Sequence, residues 1–390
     1  MTSTRLEQIG AAALIAAAGA LQFSIAAGQI FVAVAVACWL AMLLVGHQPF
    51  RAPRIFWPLV LYAGLTLVSA AFSPQPRTSL IDCKQLVLFL LVPMTYQLMN
   101  PSRAETLVSV VMSLGAASAA VGIFEFGILH FDGLGRRPQG TLGHYMTYSG
   151  LLMLVICVAL ARLLFSRRER TWAALVMPAL LVAIAVTLSR NAWVGACVAA
   201  ALLLTLKDFR LLAVLPVVAA VFFGIAPTTM QARLLSIFDK KDPSNRDRVA
   251  MMQEGEQMVR HHPLLGVGPN MVQELYAEYG IAAAVEKANP HLHNVPLQIA
   301  AERGLPALAA WLAFIVLLFV ELWRLFRAGD RRFFAAVALA AAVAMLAAGM
   351  FEYNFGDSEF LMLFLILVTL PFAVTRNLEQ QKDRSEPAPA

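Results

Sequence analysis

The sequence predicts an all-α polytopic membrane protein with about twelve transmembrane helices and one long helical loop outside the membrane. Three observations predict it. Apolar and aromatic residues make up 59% of the 390, and Asp, Glu, Lys and Arg only 14%, against about 25% charged in a soluble domain. Mean hydropathy is +0.70, too high for a water-soluble globule of this size. The apolar residues fall in long continuous runs of roughly 20, the length that spans a bilayer as a helix, and not in the ten-residue alternations of a membrane barrel. A cytosolic enzyme, a secreted disulfide scaffold and a disordered chain are excluded.

The runs lie near 9–26, 29–46, 55–73, 79–98, 104–129, 143–165, 171–188, 191–206, 210–226, 304–326, 333–350 and 358–375. The first follows Arg5 and has the look of a signal peptide, but apolar character resumes at once, so it is read as a span. The chain then divides into spans one to nine (1–226), a loop domain (227–303), spans ten to twelve (304–375) and a disordered tail (376–390). The four cysteines, Cys38, Cys83, Cys157 and Cys197, are scattered among apolar runs and read as small apolar filler.

Charge sets the expected orientation. Joints on the side of the N-terminus hold seventeen of the thirty Lys and Arg, and short joints on the other side hold five. The excess belongs in the cytoplasm, so both termini are expected there and the loop at 227–303 outside, in a bacterium the periplasm. A net charge of +6 then reflects cytoplasmic joints and does not call for a nucleic-acid partner.

Within the loop, Ser244 stands as a helix cap with Asp247 three residues on. A helix is expected from Asn245 to His262, with Val249, Met252, Gly255 and Val259 near one face and Pro263 ending it. GVGPN (266–270) reads as a turn, Met271 to about Ala288 as a second helix, and NPHLHN (289–294) as another turn. Gly304 and Pro306 interrupt the run that follows.

No Walker A pattern, no GxGxxG after a strand and no HExxH occurs, so energy must come from an activated substrate or an ion gradient. Outward-facing polar residues cluster in GRRPQGTLGHY (135–145), SRNAW (189–193), NRDR (245–248) and HLHN (291–294). Arginines with few acidic neighbours suit a phosphate-rich ligand, because guanidinium forks grip phosphate oxygens in pairs. His261, His262, His291 and His293 are conceivable metal ligands, but no Asp pair accompanies them, and metal dependence is disfavoured.

HNVPLQIAAERGLPA (293–307) resembles the signature of bacterial O-antigen ligases and the wider ligase/polymerase superfamily: a His-Asn pair, nine residues, then Gly304. Ala307 stands where a second Gly is usual. RVAMMQEGEQMVRHHPLLGVGPN (248–270) is similar to the family's Arg-led loop helix, with Met252 in place of a common Trp. TLSRNAW (187–193) and RPQGTLGH (137–144) resemble its Ser-Arg and Arg-x-x-Gly segments. The resemblance implies a multi-pass enzyme of the bacterial inner membrane. It would transfer a glycan, with inversion, from undecaprenyl diphosphate to a sugar hydroxyl of lipid A–core, without metal or other cofactor. It implies His293 as base and Arg190 and Arg248 as stabilisers of the leaving diphosphate. Arg136, Arg137, Lys84, Arg246 and Asn294 are expected to bind substrate. The alternatives are an O-antigen polymerase or a protein O-oligosaccharyltransferase with the same donor, and more distantly a secondary transporter or lipid flippase.

Overall fold

The computed structural model describes residues 2–239, 241–281, 284–285, 289–329 and 332–385. Regular structure among them is helical, with one isolated bridge between Gly133 and Arg136. A backbone in lipid must satisfy its own polar groups, and a helix does so within one segment.

The first half opens with a hairpin of α1 (Ser3–Ala20) and α2 (Ile25–Leu44). Ser24 starts α2, its side chain accepting from the Ala27 N–H. α3 (Phe56–Ala71) follows, then a broken span in which α4 (Pro76–Asp82), a 3-10 stretch (Cys83–Leu90) and α5 (Leu91–Leu98) succeed one another. α6 (Pro101–Gly127) is capped by Asn100, which accepts from Arg103 N–H, and has Pro101 at its first position, where a missing N–H costs nothing. α7 (Tyr145–Phe165), α8 (Arg170–Val186), α9 (Arg190–Lys207) and α10 (Val214–Ile225) complete this half.

Among the described residues, seven segments are long and apolar enough to cross a membrane: 25–44, 76–98, 101–127, 145–165, 295–328, 332–349 and 358–379. Three shorter apolar segments, 56–71, 170–186 and 209–225, accompany them. Against the expectation of about twelve spans, the described residues hold seven full-length candidates. The ninth expected span begins as a 3-10 turn (Phe209–Ala213), and the tenth is the second part of a longer, kinked helix.

The bundle's centre is built from α7, α15 (Arg332–Gly349) and α16 (Ser358–Ser385). Their membrane windows are apolar around nearly the whole circumference, as a helix enclosed by others must be. α15 is largely alanine, and small side chains let helix backbones approach where no hydrophobic force drives them together. α9 packs on α15 through Gly195, where a Cβ would fall 2.9 Å from the Ala344 carbonyl oxygen. Large apolar residues such as Ile30, Trp57, Leu61 and Val316 remain on the outside, in the position to meet lipid. α16 continues to Ser385, past residue 376 where the disordered tail was expected to begin; 386–390 lie outside the described residues.

The loop segment carries α11 (Thr228–Leu235), α12 (Pro243–His261) and the single turn α13 (Tyr276–Tyr279), and leads into α14 (Val295–Ala328). Asp242, and not Ser244, caps α12: its carboxylate accepts from the N–H groups of Ser244 and Asn245. The buried face of α12 is Asp247, Ala250, Met251, Glu254, Gly255 and Met258, while Val249 and Met252 stay more than half exposed. Met251 and Met258 pack with Val267, Met271, Val272, Tyr279, Leu292 and Ala301 in a small core of their own. The second loop helix expected from Met271 to Ala288 is reduced to α13. Its apolar residues dock as turns on α12, and 282–283 and 286–288 lie outside the described residues.

The GVGPN turn is fastened to a kink in α14. Gly304 has φ +82° there, and a Cβ would fall 2.1 Å from the Leu264 carbonyl oxygen. Val267 N–H and Gly268 N–H donate to the carbonyls of Ala301 and Glu302, and Leu305 N–H to that of Pro263. The kink frees backbone groups of α14, and the turn supplies their partners.

Candidate functional site

The candidate site lies where one end of the bundle meets the loop segment. α9 begins at Arg190, directly after Leu188, which has φ +54°, and the extended Ser189. The guanidinium is 6% exposed and spent on α12's approach. It donates to Ser236, Ser244 and Asn245, and pairs with Asp242 at 3.4 Å. The reading of Arg190 as a cation with few acidic neighbours is corrected on this point. Asp242 is remote in sequence, and only folding brings it there.

Around Arg190 gather three more guanidiniums. Arg233, on α11, shares Asp242 at 3.6 Å and is 11% exposed, with its Nε buried and without a partner among the described residues. Burial and the charges of Arg190, Arg137 and Arg248 push its pKa down to about 10. Arg248, one turn into α12, is half-buried and makes no ion pair or hydrogen bond among the described residues. Burial and Arg190 lower its pKa, against the pull of Glu352, Asp242 and Tyr145. Arg137 lies with its guanidinium carbon 4.3 Å above the ring of Tyr145; burial and Arg190 lower its pKa too. Four cations thus feel one another, with Asp242 as their one directly paired carboxylate among the described residues. Each depressed pKa reflects burial first and then the neighbouring positive charge, both of which disfavour the protonated form.

His293 stands at the edge of this group. Its backbone is left-handed (φ +49°), and Asn294 after it caps α14. The Asn294 side chain accepts from Leu297 N–H and donates to the Met350 carbonyl, so its amide is occupied at both ends by protein. His293 Nδ1 lies 2.9 Å from Oε2 of Glu352, in the short link between α15 and α16. His291 Nε2 lies 3.6 Å from Oε1 of the same carboxylate, and the two imidazole centroids are 4.2 Å apart. Burial, with His293 nearby, pushes the His291 pKa down to about 4 in spite of Glu352, so His291 is neutral near pH 7. Burial works to raise the Glu352 pKa, but the hydrogen bond and charge of His293 outweigh it and hold it low.

Among the described residues, one group has the chemistry to hold a metal ion: His291, His293 and Glu352, with ligand atoms within 4.8 Å of one another. Arg248 acts on the same Glu352 carboxylate, and its positive charge, with Arg190 beyond it, works against a second cation there.

The other expected substrate contacts are more peripheral. Arg136 is exposed and lies over Phe131 at 4.0 Å. Lys84 is exposed on the 3-10 stretch before α5, and no contact joins it to the arginines. Arg246 is exposed on α12. Arg233, Glu352 and Tyr145 were not singled out from the sequence. Glu352 had one visible signal: FEYNFGD (351–357) is a short acidic joint on the same side as the arginines.

The fold and this cluster define a multi-pass helical membrane protein with a basic, histidine-bearing site at one end of its bundle. The family model described as O-antigen ligase matches residues 175–312, roughly a third of the chain, and supports membership of the O-antigen ligase superfamily. The matched stretch holds Arg190, Arg233, Arg248, His291, His293 and Gly304, and stops short of Glu352. No curated protein matches the chain.

Proposed function

We propose that the protein is an O-antigen ligase acting at the periplasmic face of a bacterial inner membrane. It moves a glycan from undecaprenyl diphosphate to a sugar hydroxyl of lipid A–core. The observation that carries this reading is the His293–Glu352 pair beside four guanidiniums. A base held by a carboxylate and an anion cradle are the two devices that such a transfer requires.

The donor's diphosphate takes the place of the missing counter-charge among Arg137, Arg190, Arg233 and Arg248. As the bond from the anomeric carbon to the phosphate oxygen breaks, negative charge grows on the leaving group. Fixed cations hold that charge more strongly than the ground state, and so lower the barrier. Arg248 offers unspent donors, whereas Arg190 mainly holds α12 in place and contributes its charge. With Nδ1–H donated to Glu352, His293 presents the lone pair of Nε2. The acceptor hydroxyl gives its proton to Nε2 as its oxygen bonds the anomeric carbon from the opposite side. The anomeric centre inverts, and undecaprenyl diphosphate leaves. No metal is assigned a step.

The test is glycan transfer by the purified protein in lipid nanodiscs with EDTA present. Wild type makes the ligated product, and His293→Ala loses at least about a hundredfold in kcat with unchanged melting temperature. Near-normal transfer by His293→Ala removes the base, and loss of wild-type transfer under EDTA that Mg²⁺ restores removes the metal-free route. A second lipid-linked glycan offered as acceptor separates polymerase from ligase.

A further inference from the structure

A cavity of about 180 Å³ opens between the ends of α7, α9, α15 and α16, and Glu352 and His291 form part of its wall. By volume it holds about six waters, close to the size of one sugar ring. Its character is opposite to that of the arginine cluster. The acidic and imidazole side chains lining it are His144, His291, Glu352 and Asp357, with no Lys or Arg in the lining, so an anion entering it meets carboxylates.

One of its polar groups is unspent. Asn191, the second residue of α9, lines it, and its side chain makes no hydrogen bond among the described residues. Asn354, His291 and Asp357 line it as well. Leaving an amide such as Asn191 dry and unpaired costs more than a single hydrogen bond returns. A ligand rich in hydroxyls, each both donor and acceptor, satisfies amides and carboxylates together. Phe360 and Tyr353 add aromatic surface for the apolar face of a ring.

We propose that this cavity is the acceptor subsite, and that it receives one uncharged, polyhydroxylated sugar ring. This rests on the transfer reaction inferred above and adds where the acceptor lies. Glu352 divides the two halves: Oε2 faces His293 and Oε1 faces His291 in the cavity wall. The donor's anomeric carbon is tied to the diphosphate and stays on the cationic side. The acceptor reaches His293 from the acidic side, so two substrates of unlike charge are sorted before they meet.

The test is steady-state transfer by the full-length protein in nanodiscs, with lipid A–core and undecaprenyl-diphosphate glycan varied separately. Asn191→Ala should raise the KM for lipid A–core by roughly tenfold, the loss of one or two hydrogen bonds, and leave the donor KM unchanged. Ala192→Leu, which fills the cavity, should raise it further. An unchanged acceptor KM in Asn191→Ala, or a rise in the donor KM instead, overturns the subsite while leaving the transferase intact. Absence of transfer by wild type itself refutes the underlying reaction. If Ala192→Leu fails to fold, Asn191→Ala alone decides.

Discussion

Glu352 shows how much of the chemistry at this site depends on a single side chain. Its two oxygens face two imidazoles, one at 2.9 Å and one at 3.6 Å. The first contact fixes which nitrogen of His293 carries the proton, and thus which one is free to accept another. Glu352→Gln retains the shape and removes the charge that favours an imidazolium during transfer. We expect kcat to fall by about ten- to a hundredfold, the donor KM to stay constant, and the melting temperature to change little. An unchanged kcat would mean that the carboxylate only fills space. Arg190 illustrates the limit of reading residues singly. Its position at the outer end of a span is visible in SRNAW, but its commitment to Asp242, Ser236, Ser244 and Asn245 joins segments some fifty residues apart. Arg233 was overlooked for the same reason: in sequence it is an ordinary loop arginine, and its meaning comes from the three cations folded around it.

At the scale of elements, α12 and the kink of α14 hold His293, the proposed base, in place. Gly304→Ala asks an L-residue to adopt φ +82° with its Cβ against the Leu264 carbonyl. Strain of this kind costs about 1–3 kcal/mol before the clash is counted. The expected result is a stability loss of at least about 2 kcal/mol, a released GVGPN turn that proteases cut faster, and reduced transfer. Glu254 makes a separate prediction. It is buried on α12, its Oε1 has no hydrogen-bond partner among the described residues, and burial pushes its pKa from 4.5 to about 7. The folded state therefore keeps a proton that the unfolded state releases. Stability from this group is complete below about pH 4.5 and is lost as pH rises through about 7. Glu254→Gln should flatten that decline and stabilise the protein at pH 8 by on the order of 2–3 kcal/mol, measured by thermal melting across pH. A parallel decline in both proteins would contradict it. Much at this scale was legible in the sequence. The Gly304/Pro306 interruption, the GVGPN turn and the loop helix ending at Pro263 are local signals, written in residues that cannot do otherwise. Which face of α12 is buried was not legible. Val249 and Met252 are apolar yet exposed, and the covered face includes Asp247 and Glu254, because the partner surface is made by distant turns.

The whole molecule gathers one site from the α6–α7 connection, the starts of α9 and α12, α11, the approach to α14 and the α15–α16 link. That these segments share one end of the bundle is legible in the sequence, since the order of motifs and spans places them there. The sequence reports spacing and pairing least well, because those depend on how helices pack. The twelve runs look alike in the sequence, but among the described residues seven helical segments are long and apolar enough to span, with shorter and kinked companions. The central claim is that the guanidiniums at this end hold a lipid diphosphate. Equilibrium binding of undecaprenyl diphosphate to the purified full-length protein, wild type against Arg248→Ala, tests it most directly. Among the described residues Arg248 makes no ion pair or hydrogen bond, so the melting temperature should change little. Affinity should drop by about ten- to a hundredfold, the value of charged hydrogen bonds to phosphate. Equal affinity in the two proteins would contradict the account.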